Sequence, residues 1–162
     1  MLPFGMVAGG AGASYQISNS VRLRASASAY FSRTPGVAGN RKTWTWSGWV
    51  KRGALSGAGV RHTFFDCGTT EYVIFYFETD DTLVVAYNNG TLGMIKKTTQ
   101  VFRDPCAWSH IVVNTDTTIA SALLRTKIYV NGVEITSFSS DVNTFAQNYD
   151  TFMNNTTQHT MG

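Results

Sequence analysis

Residues 107–136 constrain the fold more than any other stretch, because three strand-like segments surround one tight-turn signal there. Trp108–Asp116 and Thr126–Val130 are rich in valine, isoleucine and tyrosine, and Asn131-Gly132 leads from the second segment into residues 133–135. Asn-Gly between alternating residues is the strongest local signal for a β-hairpin, since a type I′ turn needs positive φ at both central residues. The stretch therefore predicts strand, loop, strand, turn, strand. The turn also fixes the register that places four side chains on one face: Ile128, Val130, Val133 and Ile135.

Further strand-like segments fill the middle of the chain. They are Thr43–Lys51, residues 61–67, Tyr72–Phe77, residues 83–87 and residues 91–97. All are short, turn-like sequences separate them, and helical periodicity is almost absent; residues 119–125 look helical but are few enough to form a loop. Evenly spaced short strands predict an all-β antiparallel sandwich.

The N-terminal residues divide into an arm and the start of the sandwich. We expect residues 1–15 to form a Gly-rich arm and residues 16–162 to form the β-sandwich domain. Residues 15–31 predict a first pair of strands, because Val21, Leu23 and Ala25 alternate with polar residues. A free Gly-rich arm would be flexible, but its large apolar side chains are costly to leave in water. We expect these to dock on a neighbouring subunit, with simple disorder as the alternative: Leu2, Phe4 and Met6.

Composition favours one folded domain. The chain has 162 residues, of which 43% are hydrophobic and 14% charged, so it can bury a core and is not a disordered tail. All ten acidic residues follow residue 65, whereas most basic residues precede it. We expect the two sets to interleave in the fold, with a basic face for an acidic partner as the alternative. No basic run is long, and no apolar run approaches the ~20 residues of a membrane span. Neither nucleic acid nor a membrane is therefore an expected partner.

Trp49 has two interpretations. In a strand over Thr43–Lys51, Trp44 and Trp46 share the core face, and Trp49 points to the opposite face. An outward tryptophan could stack on a sugar ring. It could also pack against a loop or a partner, and we favour this second interpretation, because large aromatic side chains are commonly buried.

The sequence does not predict an enzyme. The nearest approach to a glycosidase carboxylate pair is residues 78–83, but the second glutamate is missing and the composition is that of a hairpin turn. No Gly-x-Ser-x-Gly motif occurs, and three histidines lie in unrelated contexts: His62, His110 and His159. We interpret His110 as structural.

No cofactor or metal is expected. Ca²⁺ is the one ion worth considering, because Asp80, Asp81 and Asn88 could supply oxygen ligands from adjacent turns, although no EF-hand spacing is present. Cys67 and Cys106 are too few for a disulfide scaffold, and we expect two free thiols, with a bridge between them as the alternative.

The chain also resembles known families. Trp-Ser-His-Ile-Val-Val at 108–113 and Lys-Ile-Tyr-Val-Asn-Gly-Val at 127–133 resemble the laminin-G-like branch of the concanavalin A-like lectin and glucanase superfamily, whose fold is a jelly roll of two antiparallel sheets. Residues 32–35, 39–52, 102–105 and 147–151 resemble a group of tailed-phage virion proteins.

This resemblance implies a noncatalytic structural or adhesive protein of a virion, such as a tail, tail-fibre or head-appendage component, assembled in the bacterial cytoplasm. Its partners would be other virion proteins and further copies of itself, with a trimer favoured over a dimer. The alternative is a lectin-like module that contacts host surface glycans through Trp49, Asp80 and Asn88.

The resemblance further implies a vacant strand position. In the proteins that this chain resembles, the segment matching residues 148–162 is followed by one more strand, which closes a sheet beside an N-terminal strand. The sandwich domain would then lack its last strand and expose unpaired backbone groups. Our expectation is that a longer chain supplies this strand, with the N-terminal arm or a neighbouring subunit as alternatives.

Overall fold

Eleven strands and two single-turn 3₁₀ helices, at Ala25–Ala27 and Ala122–Leu124, make up the described part of the computed structural model, residues 18–55 and 59–162. The strands are β1 Phe31–Arg33, β2 Thr43–Lys51, β3 His62–Gly68, β4 Tyr72–Phe77, β5 Thr82–Asn88, β6 Leu92–Val101, β7 Trp108–Asp116, β8 Thr126–Val130, β9 Val133–Glu134, β10 Phe138–Asn143 and β11 His159–Met161.

The strands form two antiparallel sheets. One has seven strands in the order β1-β11-β3-β4-β5-β6-β10, and the other has four in the order β2-β7-β8-β9. The all-β sandwich prediction is therefore confirmed. Neither 3₁₀ helix in the described ranges has the length and apolar character needed to cross a bilayer.

The predicted hairpin is present. Asn131 and Gly132 have φ values of 52° and 82°, as a type I′ turn requires, and Val130 pairs with Val133 across the turn. Ile128 and Val130 are buried as predicted, but Val133 is 67% exposed. The prediction that Val133 contributes to the core is wrong, because β9 is a two-residue strand at the edge of its sheet.

Aromatic and branched side chains from both sheets fill the space between them. The buried cluster includes Trp44, Phe75, Leu83, Ile111 and Ile128. Trp46 packs edge-on against Phe75, with 5.4 Å between ring centroids. The predicted core face of β2 is confirmed, and its alternation leaves the odd-numbered residues on the outer face of the four-stranded sheet.

The first strand pair expected within residues 15–31 is wrong for the residues that the structure describes. Val21 is 66% exposed, and only one 3₁₀ turn precedes β1. Alternation over five residues is insufficient here, because none of the described strands pairs with residues 21–25. Instead β1 pairs with β11, a C-terminal strand that the sequence did not reveal. Leu2, Phe4 and Met6 lie outside the described residues, so their docking stays a prediction.

Both cysteines are free, as expected, and the alternative bridge is not formed. Cys67 is completely buried in the core, whereas Cys106 is exposed. Burial raises the pKa of the Cys67 thiol to about 12. The two thiols therefore have opposite reactivity.

Candidate functional site

A shallow groove lies on the outer face of the seven-stranded sheet. It has a volume of about 240 Å³. Val73, Phe75 and Phe77 of β4 point into the core, so the alternate residues of this strand face outward. The groove is lined by Arg61, Tyr72, Ile74, Tyr76, Ala86, Asn88 and Ile95.

The floor of the groove comes from three strands in register. Ile74 on β4 pairs with Ala86 on β5, and Ala86 pairs with Ile95 on β6. The small side chain of Ala86 lies between two larger ones, which makes the centre of the row lower than its sides. The result is an apolar depression that runs along β5, with Ile74 on one side and Ile95 on the other.

One end of the groove is formed by a tyrosine and an amide. Tyr72 is opposite Asn88 in the β4–β5 pairing, and the Asn88 side-chain amide donates to the Tyr72 hydroxyl over 3.4 Å. Asn88 also accepts from the backbone N–H of Gly90 at 2.8 Å. The Asn88 amide is thus held in place by its own turn, at the wall of the groove.

The other end carries charge. The Arg61 guanidinium lies over the Tyr76 ring, 5.0 Å from its centroid, and its Nε donates to Glu78 at 3.0 Å. Burial raises the pKa of Tyr76, and the positive charge of Arg61 offsets part of that increase. Tyr76 is therefore neutral at physiological pH and can donate or accept a hydrogen bond.

The acidic residues next to this end are ionised. Burial acts to raise the pKa of Glu78, but hydrogen bonds from the Thr79 N–H and from Arg61 outweigh it and lower the pKa. Asp80 lies 2.7 Å from the Lys97 ammonium, and hydrogen bonds from Lys97 and Thr82 lower its pKa to about 2. Neither carboxyl has the raised pKa that a general acid needs at neutral pH.

The structure does not bring the predicted site residues together. Asn88 lies in the groove, but Asp80 is in the turn before β5, and the seven residues of that strand place the two roughly 20 Å apart. Asp81 binds Arg52 and Arg103 instead. The idea that adjacent turns offer Asp80, Asp81 and Asn88 to one Ca²⁺ is therefore wrong. Within residues 18–55 and 59–162, no group of three or more His, Cys, Asp or Glu residues is placed to hold a metal ion.

Trp49 belongs to a second surface, which we call the outer aromatic patch: Trp49, Trp108, His110 and Tyr129. All four project from the outer face of the four-stranded sheet, because they alternate with core residues of β2, β7 and β8. Trp49 is 52% exposed and Trp108 is 44% exposed. Among the described residues Trp49 stays half exposed, so the favoured expectation that it packs against a loop or a partner remains a prediction, as does the alternative that it stacks on a sugar ring.

The Trp49 ring is held by its neighbours. It stacks on the His110 ring with 5.0 Å between centroids, and His110 Nε2 shares a hydrogen bond with the Ser47 hydroxyl at 2.9 Å. Backbone bonds to Asn131 fix His110 itself. His110 thus has the structural role expected of it, and Trp49 presents a fixed and partly open ring.

Sequence reasoning found Asn88 and missed Tyr72, Tyr76 and Arg61. A signal was present, since Tyr72–Phe77 reads Tyr-Val-Ile-Phe-Tyr-Phe and is apolar on both faces. A strand with one face in the core needs an explanation for apolar residues on the other face. The floor of the groove was beyond local patterns, because its three residues come from three strands.

Two antiparallel sheets with a shared aromatic core define a β-sandwich of the lectin-like fold class. A family model described as the concanavalin A-like lectin/glucanases superfamily matches residues 24–159. The chain belongs to this superfamily.

A solved structure supports the same fold. The chain is similar to the native heptameric SAP-like pentraxin from Limulus polyphemus, with a TM-score of 0.54 and 13% sequence identity. The match covers 82% of this chain and 57% of the pentraxin chain. This chain therefore spans little more than half of that relative's length. No curated protein is significantly similar in sequence.

Proposed function

We propose that this protein is a noncatalytic carbohydrate-binding module and that it acts as an adhesive component of a tailed-phage virion. The observation that carries the proposal is the groove between Tyr72 and Tyr76. Sugar rings have apolar faces and hydroxyl edges, so they suit a site with an apolar floor, aromatic side chains and a few fixed polar groups.

The polar groups of the groove match hydroxyl recognition. Asn88 offers an amide, the two tyrosines offer hydroxyls, and Arg61 supplies a charged donor at the rim. The volume of about 240 Å³ lies below the roughly 300–1,000 Å³ of drug-sized ligand sites. It suits one or two sugar units of a longer chain that extends along the surface.

Electrostatics favour binding over hydrolysis. Glycoside hydrolysis needs one carboxyl that stays protonated and a second that is ionised. Glu78, which binds Arg61 at the rim, and the neighbouring Asp80 both have lowered pKa values. Neither of these two carboxyls is therefore suited to act as the general acid toward a bound glycan.

The setting in a phage virion is supported by the sequence resemblance of residues 32–35, 39–52, 102–105 and 147–151. In that setting the protein is assembled in the bacterial cytoplasm and carried on the particle, where host surface glycans are the ligands that an adhesin meets. Intact particles labelled with an antibody against this protein and viewed by electron microscopy would test this assignment. Absence of label from purified particles would contradict it.

The carbohydrate proposal is tested on an array of bacterial surface polysaccharides. We expect binding that falls at least about tenfold, or ~1.4 kcal/mol, in Tyr72→Ala. Tyr30→Ala is the matched control, because it removes an exposed tyrosine that lines neither the groove nor the outer aromatic patch. Trp49→Ala tests the separate prediction that Trp49 stacks on a sugar.

Three outcomes separate the interpretations. A loss in Tyr72→Ala with normal binding by Trp49→Ala supports the groove. A loss in Trp49→Ala alone moves the glycan site to the outer aromatic patch. No binding to any glycan, by a protein that melts cooperatively, would contradict the carbohydrate proposal.

A second candidate function is structural docking on other virion proteins, and the exposed rings of Trp49 and Trp108 favour it. Large exposed aromatic side chains are typical of protein interfaces. Binding of the other purified virion proteins should then fall in Trp108→Ala but not in Leu124→Ala, which removes an exposed apolar side chain elsewhere. Equal binding by both variants would argue against this surface.

A further inference from the structure

The outer edge of β2 carries a row of backbone groups that point away from the sheet. Lys42 accepts a hydrogen bond from the Thr117 N–H of the neighbouring chain segment, so the even-numbered residues of β2 direct their backbone groups toward β7. His110 uses both its N–H and its C=O to contact Asn131 on the far side. Trp49, which is opposite His110, must therefore direct its own N–H and C=O toward the free edge.

The same alternation applies along the strand. Thr45, Ser47 and Trp49 each direct one donor and one acceptor outward, and no described residue pairs with them. Thr43 is different, because its N–H donates to the Asn40 side chain at 3.0 Å. The edge thus has three outward-facing residues, at every second position between Thr43 and Lys51. Such a row is a template for another strand.

We propose that the β2 edge pairs with the β2 edge of a second copy of this protein, antiparallel and about a two-fold axis at Ser47. In this register Ser47 lies opposite Ser47 of the partner subunit, and Trp49 lies opposite Thr45 of the partner subunit. Every outward donor then meets an outward acceptor, so all six groups of each strand are satisfied. The two four-stranded sheets become one continuous sheet of eight strands.

Self-pairing is favoured over other strands by its symmetry. The three outward residues are centred on Ser47, so the same segment serves as donor and acceptor and the interface closes after two copies. At nine residues, β2 is also the longest edge strand of the described sheets, compared with two for β9 and six for β10.

Side chains on the outer face agree with this register. Thr45 accepts from the Asn114 amide at 2.9 Å, so Trp49 would extend over a polar pair in the partner and lose much of its 52% exposure. Lys51 would lie opposite Thr43 of the partner subunit, beside the strand that carries Asp116. Opposite charges would then lie near both ends of the paired strands.

The test exploits the two-fold axis. Ser47→Lys and Ser47→Glu each place two like charges directly opposite one another, which is unfavourable in paired strands. We expect each variant to weaken self-association about tenfold or more, measured by sedimentation equilibrium. Mixing the two variants should restore dimers, because lysine then lies opposite glutamate. Glu134→Lys, on the opposite edge of the same sheet, is the control and should dimerise normally.

The outcomes decide the proposal. A dimeric wild type, two weakened variants and a restored mixed dimer support edge pairing. A monomeric wild type would overturn it, and would favour another segment of the chain or an unrelated peptide at the edge. A wild-type trimer, or dimers that both variants keep, would place self-association on another surface. Circular dichroism melts show whether each variant is folded.

Discussion

Asp81 holds together three segments that meet at one end of the sandwich. Its carboxylate binds the Arg52 guanidinium at 2.8 Å, and it binds Arg103 Nε at 3.1 Å. Arg52 follows β2, whereas Arg103 follows β6. The Arg52 side chain is only 4% exposed and that of Asp81 is 10% exposed, whereas that of Arg103 is 62% exposed. The contact with Arg52 is therefore the one that matters for stability.

We expect Asp81→Ala to lower the free energy of unfolding by about 3 kcal/mol, because loss of one partner leaves a buried charge. Arg52 keeps a bond to the Phe102 carbonyl at 2.6 Å and lies 4.7 Å from the centre of the Phe77 ring, which holds the cost at the lower end of the usual range. Asp81 also has φ 68°, a conformation that alanine adopts less readily. For a domain of this size, the melting temperature should fall by roughly 6–12 °C.

Two variants separate the causes. Asp81→Asn keeps a residue that tolerates positive φ and removes only the charge, so we expect a loss of about 2 kcal/mol. Glu134→Ala breaks the Lys127–Glu134 pair, whose side chains are 41% and 38% exposed, and should cost less than about 1 kcal/mol.

The assay is urea unfolding followed by tryptophan fluorescence, repeated in high salt. Because the Arg52–Asp81 pair is buried, its loss should cost about the same in both conditions. If Asp81→Ala cost no more than Glu134→Ala, the buried pair would not stabilise the fold and the reasoning would be refuted.

Three further predictions follow from local environments. The Asp80 carboxylate has a pKa of about 2 in the folded protein and about 4 in the unfolded chain. Its contact with Lys97 stabilises the fold only while Asp80 is ionised, so this stability should be lost as the pH falls from about 4 to about 2. Melting temperatures of Asp80→Asn should therefore fall less steeply than wild type over that pH range, and parallel curves would contradict this. Cys106 should react rapidly with a thiol reagent, whereas Cys67 should react only on unfolding. Cys106→Ser should therefore abolish rapid labelling, and rapid labelling of Cys67 would show that the core opens. Gly132→Val should lower the free energy of unfolding by at least ~1 kcal/mol through backbone strain alone, since φ is +82° and no atom lies within 4 Å of the added carbon. An unchanged melting temperature would mean that the turn relaxes without cost.

The sequence predicted the parts of the fold that local chemistry determines. Thr43–Lys51 and Tyr72–Phe77 match β2 and β4 at both ends, and Asn131-Gly132 forms the expected turn. In each case an alternation, a run of β-branched and aromatic residues or a turn residue acts within a few positions. The same reasoning failed for residues 15–31, where alternation was present but no described strand pairs with residues 18–30.

Non-local features could not be predicted in this way. The strand β11 has only three residues, and its pairing with β1 and β3 depends on positions far away in the chain. The groove depends on the register of β4, β5 and β6, which places Ile74, Ala86 and Ile95 in one row. Asn88 was selected for its turn, and its position beside Tyr72 became evident only from the pairing.

The short strand β11 also determines when the sandwich can be completed. It lies between β1 and β3, so one side of the seven-stranded sheet joins residues from opposite ends of the described chain. Contacts between distant positions form slowly, since a long loop must close before any bond repays the lost entropy. During synthesis on the ribosome, the β4–β5–β6 meander can therefore assemble early, whereas β1 must wait for the last strand to emerge. The groove belongs to the early part, and its shape is set before the sheet is finished.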